Sequence, residues 1–131
     1  MPTVTFVPYR GPMSLDWEQV VIAAVDPVAL GRWWAEALRW EIINDHPDEF
    51  EIQPQPGRTP GIIFLPVTGL KQSKNRLHLD FRPDNQAAEV ERLIELGATR
   101  LDIGQGDVPW VVLADPEDNE FCVLGDGRPR A

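Results

Sequence analysis

The residues best suited to chemistry concentrate in one alternating stretch of the chain, Lys74 to Arg82. As a strand, this stretch directs its leucines and phenylalanine to one face and His78 and Asp80 to the other, because side chains alternate across a strand. The apolar face predicts core, and the ionisable face predicts the wall of a cavity. An imidazole suits proton transfer or metal binding near neutral pH. The alternative is a structural histidine whose nitrogens only bond a neighbour such as Asp80.

Two further reactive side chains follow the turn Asp115 to Asn119. Glu120 and Cys122 are two positions apart, so they share one face of the strand that leaves this turn. Glu120 becomes a general base near pH 7 if burial raises its pKa; otherwise it is a solvated residue after a turn. Cys122, between Phe121 and Val123, fits a small buried packing residue better than a nucleophile, because no sequence neighbour lowers its thiol pKa.

Composition limits the partners of the protein. The chain has 131 residues, of which 43% are hydrophobic and 25% charged, as in one folded domain. Its 12 basic and 21 acidic residues give a net charge of −9, which repels nucleic acid and anionic membranes. Cys122 is the single cysteine, so no intrachain disulfide forms. No apolar run approaches the roughly 20 residues of a membrane helix. We therefore expect a cytoplasmic protein that binds neither nucleic acid nor membrane.

Hydrophobic patterns predict the elements that position these residues. The apolar run from Trp17 to Val25 is typical of a buried strand. Asp26-Pro27 predicts the start of a helix, since the aspartate caps a backbone amide and proline presets the first turn. A second helix begins at Asp84 or Asn85 and ends at Leu96-Gly97. The remaining predicted strands are Trp40 to Ile43, Glu49 to Gln53, Gly61 to Val67, Thr99 to Ile103, Trp110 to Ala114 and Glu120 to Leu124.

The two halves of the chain repeat one order of elements. Three landmarks recur 58 positions apart: a helix cap, a helix end and the start of the last strand. These pairs are Asp26 and Asp84, Leu38 and Leu96, and Gly61 and Asn119. A constant separation indicates an internal repeat. We therefore predict a single α+β domain, residues 1–131, with related modules at about 17–67 and 75–124 and a linker at 68–74.

With these landmarks the chain resembles the vicinal oxygen chelate superfamily, which includes glyoxalase I, bleomycin-resistance proteins and extradiol dioxygenases, and in particular its small glyoxalase-like domain members. The resemblance covers Trp17 to Leu124. It rests on the Trp33-Trp34 helix, the His78 stretch and the segments Leu96 to Thr99 and Asp115 to Phe121. It implies two βαβββ modules whose mixed sheets curl around a shared cleft, with the helices outside. It also implies a small-molecule ligand and a homodimer.

In the metal enzymes of that superfamily, the first and last strands of each module supply one ligand each, usually His, Gln or Glu. The resemblance places these positions at Gln19, Phe64, His78 and Cys122. Phe64 has no donor atom, and a thiolate does not suit the oxygen-rich octahedral sites of Mg, Mn or Ni. Glu120 lies about 7 Å along the strand from Cys122 and is the substitute. The implied metal ligands are then His78, Glu120 and Gln19, around Ni, Zn, Mn or Fe; the alternative is a cleft without metal.

Three functions stay open on this sequence. As an enzyme, the protein is a glyoxalase-like lyase or isomerase in which a divalent metal polarises adjacent oxygens and His78 and Glu120 are catalytic. As a binding protein, which we favour, it holds a small aromatic or anionic compound. If it resembles bleomycin-resistance proteins in this respect, the cleft contains no metal. As a subunit or regulatory domain, it acts by pairing. The expected pocket residues are Gln19, Phe64, His78, Asp80, Trp110, Glu120 and Cys122.

Overall fold

Two modules with the same order of elements make up the computed structural model, which describes residues 17–71, 73, 75 and 77–126. Lys74 and Arg76, both in the alternating stretch, lie outside the described residues. The first module consists of β1 Gln19–Ala24, α1 Pro27–Leu38, β2 Glu41–His46, β3 Glu49–Gln53 and β4 Gly61–Pro66. The second consists of β5 Leu79–Phe81, α2 Gln86–Leu96, β6 Thr99–Arg100, β7 Val111–Ala114 and β8 Glu120–Val123.

Each module folds into its own four-stranded mixed sheet. The strand orders are β1-β4-β3-β2 and β5-β8-β7-β6. The first and last strands of each module pair in parallel, which requires the helical crossover between them, and the other neighbours are antiparallel. The predicted α+β class and the two βαβββ modules are therefore confirmed. Over the described residues the sheets do not share a ladder, so β1 and β5 are outer strands of separate sheets.

Helix α1 begins and packs as its sequence predicts. The Asp26 side chain accepts the backbone N–H of Ala29 at 3.0 Å, and Pro27 lies in the first turn. The helix approaches the sheet closely at Gly31, where an added Cβ would lie 2.1 Å from a ring carbon of Phe50. Glycine is therefore required for this packing distance. The longest helix among the described residues has 12 residues, and none is long and apolar enough to cross a membrane.

Aromatic packing around Trp34 joins the two modules. Its ring centroid lies 4.9 Å from that of Phe121 and 5.7 Å from that of Phe81, both in the second module. The edge-to-face and tilted geometries are those that aromatic quadrupoles favour. Trp34 and Phe121 belong to the main hydrophobic core and Phe81 packs against it, so both modules contribute to one core.

A buried carboxylate adds a polar tie to this core. Asp115, 2% exposed, accepts the indole N–H of Trp34 at 2.9 Å. It also accepts the backbone N–H groups of Glu117 and Asn119 and the Asn119 side-chain amide. One side chain therefore shapes the β7–β8 turn and fixes that turn to α1.

The internal repeat differs by one residue from the predicted separation along the strands. The caps Asp26 and Asn85 lie 59 positions apart, as do the strand starts Gly61 and Glu120. The helix ends are 58 apart because α2 has 11 residues and α1 has 12. A shift of one residue reverses the face that a strand residue occupies. The counterpart of Cys122 in the first module is therefore Ile63.

Phe64 is the residue that this shift misplaces. Its side chain is 0% exposed and packs on the ring of Phe50, with centroids 6.4 Å apart, inside the main core. The expectation that Phe64 lines the cleft is corrected, since it lies on the face of β4 that packs against the helices.

The ends of several strands also differ from the predictions. β2 continues to His46, β6 has only two residues and β5 begins at Leu79. Leu77, predicted to face the core, is exposed. β1 is not buried throughout, since Val21 is 56% exposed. As the outer strand of its sheet, β1 is covered by helix on one face and leaves the other face open.

The Asp115→Ala variant tests the polar tie between modules. It leaves the buried indole N–H of Trp34 and two backbone N–H groups without their acceptor, so we expect the free energy of unfolding to fall by about 2–4 kcal/mol. Urea denaturation measures this loss. The matched control is Asp107→Ala at an exposed loop position, where we expect a change within about 0.5 kcal/mol. Equal losses in the two variants would contradict the role of Asp115.

Candidate functional site

A cavity of about 1080 Å³ lies between the two modules. One wall is the β1 region between Trp17 and Asp26, a second is the linker between Val67 and Leu79, and the third is the turn and strand start between Asp115 and Phe121. Apolar surface predominates in the lining. The space is large enough for a small organic ligand, whose sites are typically mostly apolar with a few polar groups.

The turn before β8 closes one end of the cavity. The Glu117 carboxylate accepts the backbone N–H groups of Val25 at 2.7 Å and Asp26 at 3.0 Å. These are the last residues before α1, so the anion lies near the N-terminus of that helix, where the helix dipole stabilises negative charge. The sequence analysis missed this contact because the partners are about 90 residues apart. The contact fixes the spacing of two cavity walls.

Glu120 lies in the cavity wall as one half of an ion pair. Its side chain is 10% exposed, and Lys71 Nζ lies 3.0 Å from its Oε2. The Asn75 backbone N–H donates to the same oxygen at 3.4 Å, and the Asn75 side-chain amide donates to the Glu120 backbone carbonyl. The linker is therefore attached to the start of β8. Sequence analysis predicted Glu120 but not its pairing with Lys71, because linker contacts leave no periodic signal.

These contacts set the charge of Glu120. Burial alone would raise its pKa, but the hydrogen bonds from Lys71 and the backbone N–H of Asn75, together with the positive charge of Lys71, more than offset burial and lower the pKa below its ordinary value. Glu120 is then ionised at neutral pH. A general base near pH 7 would need a raised pKa, so this environment does not support that predicted role for Glu120.

His78 lies at the edge of the same cavity, directly before β5. Its side chain is 52% exposed, and its Nε2 lies 3.1 Å from Oδ1 of Asp80, which is 49% exposed. In the neighbouring strand, Cys122 is the register partner of Asp80 and is 7% exposed. The possible ligand atoms of these three side chains all lie within 4.8 Å of one another.

The structure therefore divides the expected pocket residues into three groups. His78 and Glu120 line the cavity, and Asp80 and Cys122 join His78 beside it. Gln19, Trp110 and Phe64 are absent from the lining. Gln19 is half-buried on β1 opposite Gly61, and Trp110 is exposed just before β7.

Comparison with known proteins settles the family. The sequence profile of the family described as "Glyoxalase-like domain" matches residues 19–124. The chain belongs to this family. It is thus a member of the vicinal oxygen chelate superfamily, which confirms the resemblance found in the sequence. No curated protein sequence matches this glyoxalase-like protein.

Solved structures of similar shape agree with this assignment. A glyoxalase/bleomycin resistance protein/dioxygenase family enzyme from Burkholderia phytofirmans has 22% identity and a TM-score of 0.62, covering 83% of this chain and 97% of its own. Trypanothione-dependent glyoxalase I from Leishmania major has 13% identity and a TM-score of 0.67, covering 86% and 88%. The oxidase ChaP-H2 has 18% identity and a TM-score of 0.62, covering 91% and 98%. At these identities the likeness shows the fold alone.

The donors present do not fit the four-ligand metal site that the superfamily implies. Of its first-module positions, Ile63 offers only hydrocarbon after the register correction, as does Phe64. The carboxylate of Glu120 is already paired with Lys71, and Cys122 offers sulfur. Magnesium and manganese ions prefer six oxygen-rich ligands, which this set does not supply. We therefore derive no reaction step through such an ion.

The pH dependence of stability tests the charge state of Glu120. Because the folded protein lowers this pKa, the carboxylate contributes stability that is present above the ordinary value of 4.5 and is lost as pH falls through the lowered folded pKa. We expect Glu120→Gln to reduce the free energy of unfolding by about 1 kcal/mol at pH 7. The deficit should shrink below pH 4.5. Urea denaturation from pH 7 to 3, with chelator present, measures it.

Glu91→Gln, on the exposed face of α2, is the control for this series. We expect its unfolding free energy to follow that of the wild type across the same pH range. A Glu120→Gln deficit that grows toward acid pH would mean that the fold favours the protonated carboxyl, contrary to the ion pair with Lys71.

Proposed function

We propose that this glyoxalase-like protein binds a small organic molecule in the cavity between its modules. The observation that carries the proposal is a ligand-sized, mostly apolar cavity that includes a fixed ion pair and an accessible histidine. A second observation supports it: the family's four-position metal set is incomplete, whereas residues of both modules line the cavity. Binding therefore relies on the shape and polarity of the walls.

The walls define the chemical class of the ligand. Val21, Ala23 and Leu70 supply apolar surface, and Trp17 at the rim is 66% exposed and offers an indole face for stacking. Polar contacts come from Lys71 and His78, both of which can donate hydrogen bonds, beside the carboxylates of Asp26, Glu117, Asp118 and Glu120. Because Glu120 already pairs with Lys71, the ligand that fits is a planar, mostly apolar compound with one hydrogen-bond-accepting group.

A lyase or isomerase activity is the second candidate, and the His78–Asp80 pair favours it. Asp80 Oδ1 lies 3.1 Å from His78 Nε2, so the carboxylate is placed to orient the imidazole for proton transfer. The imidazole lies at the cavity edge, where a bound ligand can reach it. Isomerisation of a hemithioacetal that is lost in His78→Gln and retained in His46→Gln would establish this activity.

The homodimer and the cytoplasmic location stay predictions from the sequence. Size-exclusion chromatography with light scattering tests the first, and cell fractionation tests the second.

Titration with 8-anilinonaphthalene-1-sulfonate, an aromatic sulfonate whose fluorescence increases at apolar sites, tests the cavity directly. We expect saturable binding with increased fluorescence, and at least tenfold weaker binding in Val21→Glu. The new carboxylate would place an unpaired charge on an apolar wall and repel the sulfonate.

The matched control is Ile42→Glu. Val21 and Ile42 lie on the two outer strands of one sheet, and both are exposed, but only Val21 lines the cavity. We expect affinity within about twofold of the wild type for this control. Equal weakening in both variants, or none in Val21→Glu with the fold intact by circular dichroism, would rule out binding at this cavity.

A further inference from the structure

A second, smaller cavity lies between the end of α1, the segment that follows β5, and α2. Its volume is about 370 Å³. Three of its lining side chains are arginines, Arg39, Arg82 and Arg92, and two are carboxylates, Asp84 and Glu89. Cations therefore outnumber anions at this place in a chain whose net charge is −9.

Arg92 and Glu89 neutralise each other and form one wall of this cavity. The Arg92 Nε donates to Glu89 at 2.7 Å, and a terminal guanidinium nitrogen of Arg92 donates to the backbone carbonyl of Ala37 at 2.8 Å. The pair lies on α2, and Ala37 lies near the end of α1. These contacts fix the two helices against each other beside the cavity.

The other two arginines have no carboxylate partner among the residues that the structure describes. Arg82 donates to the backbone carbonyl of Gly125 at 3.2 Å, which holds the side chain in place and leaves its charge unneutralised. The side chain of Arg39 is exposed. A guanidinium group has five N–H donors in a planar fork that matches a carboxylate or phosphate group.

Arg39 also occupies a backbone position that favours glycine. It follows the last residue of α1 with φ 58° and ψ 43°, in the left-handed region, where a side chain costs stability. The equivalent position at the end of α2 is Gly97. An arginine at the end of α1 is therefore not explained by the helix ending itself, which indicates a role for its side chain.

Apolar side chains lie beside these guanidinium groups. Leu38 and Phe81 are half-buried in the lining, and the buried rings of Trp34 and Phe121 complete it. A cavity of this size suits a small compound with an apolar body and one polar group.

We propose that Arg39 and Arg82 bind the carboxylate or phosphate group of a small organic anion whose apolar body packs on Leu38 and Phe81. This site is distinct from the cavity between the modules. The two cavities share Trp34 and Phe121 but no charged residue, and no arginine lines the larger one. The site does not depend on the proposed function.

Isothermal titration calorimetry with phenyl phosphate and with benzoate tests the proposal and distinguishes the two kinds of anion. We expect at least one of them to bind with one equivalent per chain, more weakly as salt is added. Arg82→Gln should weaken this binding at least tenfold. Phenol, which has the ring without the anionic group, should also bind at least tenfold more weakly. Failure of both anions to bind, or equal binding of phenol, would overturn the proposal.

Arg39→Gly separates a binding role from a structural one. Glycine relieves the left-handed backbone, so we expect this variant to unfold at a higher urea concentration than the wild type. The same variant should bind the anion at least tenfold more weakly, because the guanidinium group is gone. Unchanged anion binding in this folded variant would overturn the role of Arg39.

The matched control is Arg58→Gln, which removes an exposed positive charge that lines neither cavity. We expect it to keep the anion affinity of the wild type within about twofold. Equal weakening in Arg58→Gln and Arg82→Gln would mean that the anion responds only to the overall charge, contrary to a site at Arg82.

Variants of the larger cavity keep this proposal separable from the proposed function. Val21→Glu should retain the anion affinity of the wild type, and Arg39→Gly should retain binding of 8-anilinonaphthalene-1-sulfonate. Anion binding that is lost in Val21→Glu and kept in Arg82→Gln would place the anion between the modules and overturn the second site.

Discussion

The cavity depends on the hydrogen bond between the indole of Trp34 and the buried carboxylate of Asp115. Asp115 organises the β7–β8 turn from within, and Trp34 fixes that turn to the helix of the other module. A buried carboxylate is costly unless its oxygens are satisfied, and here four donor groups satisfy them. The second carboxylate of the turn, Glu117, then reaches the backbone at the end of β1. The separation of the two modules, and so the width of the cavity, follows from these contacts.

Local signals in the sequence predicted most of the fold. The predictions failed where the residues of a strand show no alternation of apolar and polar side chains. The cap at Asp26 and the two helical stripes have short-range causes, so they were predictable. In β4, by contrast, four consecutive residues beginning at Gly61 are buried. Such a strand shows no alternation from which to choose a face. The face of β4 was therefore assigned from the separation between the two repeats. Because α2 is one residue shorter than α1, the separation of 58 at the helix ends is one less than the separation along the strands. That is why Phe64 was assigned to the cleft and Ile63 was not.

The candidate site shows the same division between local and long-range causes. Alternation predicted that His78 and Asp80 share a face and that Glu120 and Cys122 share another, because each pair lies within one short stretch. The sign of the pKa shift at Glu120 was not predictable, since it depends on Lys71, 49 positions earlier in an irregular linker. Burial and charge pairing act on a carboxyl in opposite directions, and only the position of the lysine shows which effect is larger.

The repeat also explains why the two modules contribute different chemistry. At the corrected separation of 59, His78 corresponds to Gln19, Asp80 to Val21 and Cys122 to Ile63. The second module therefore has three metal-competent donors where the first has an amide and two hydrocarbon side chains. An ion shared symmetrically between the modules would need donors from both. The apolar counterparts instead suit a hydrophobic ligand, and Val21 does line the cavity. The first module thus provides an apolar wall of the cavity, and the second module provides the reactive groups.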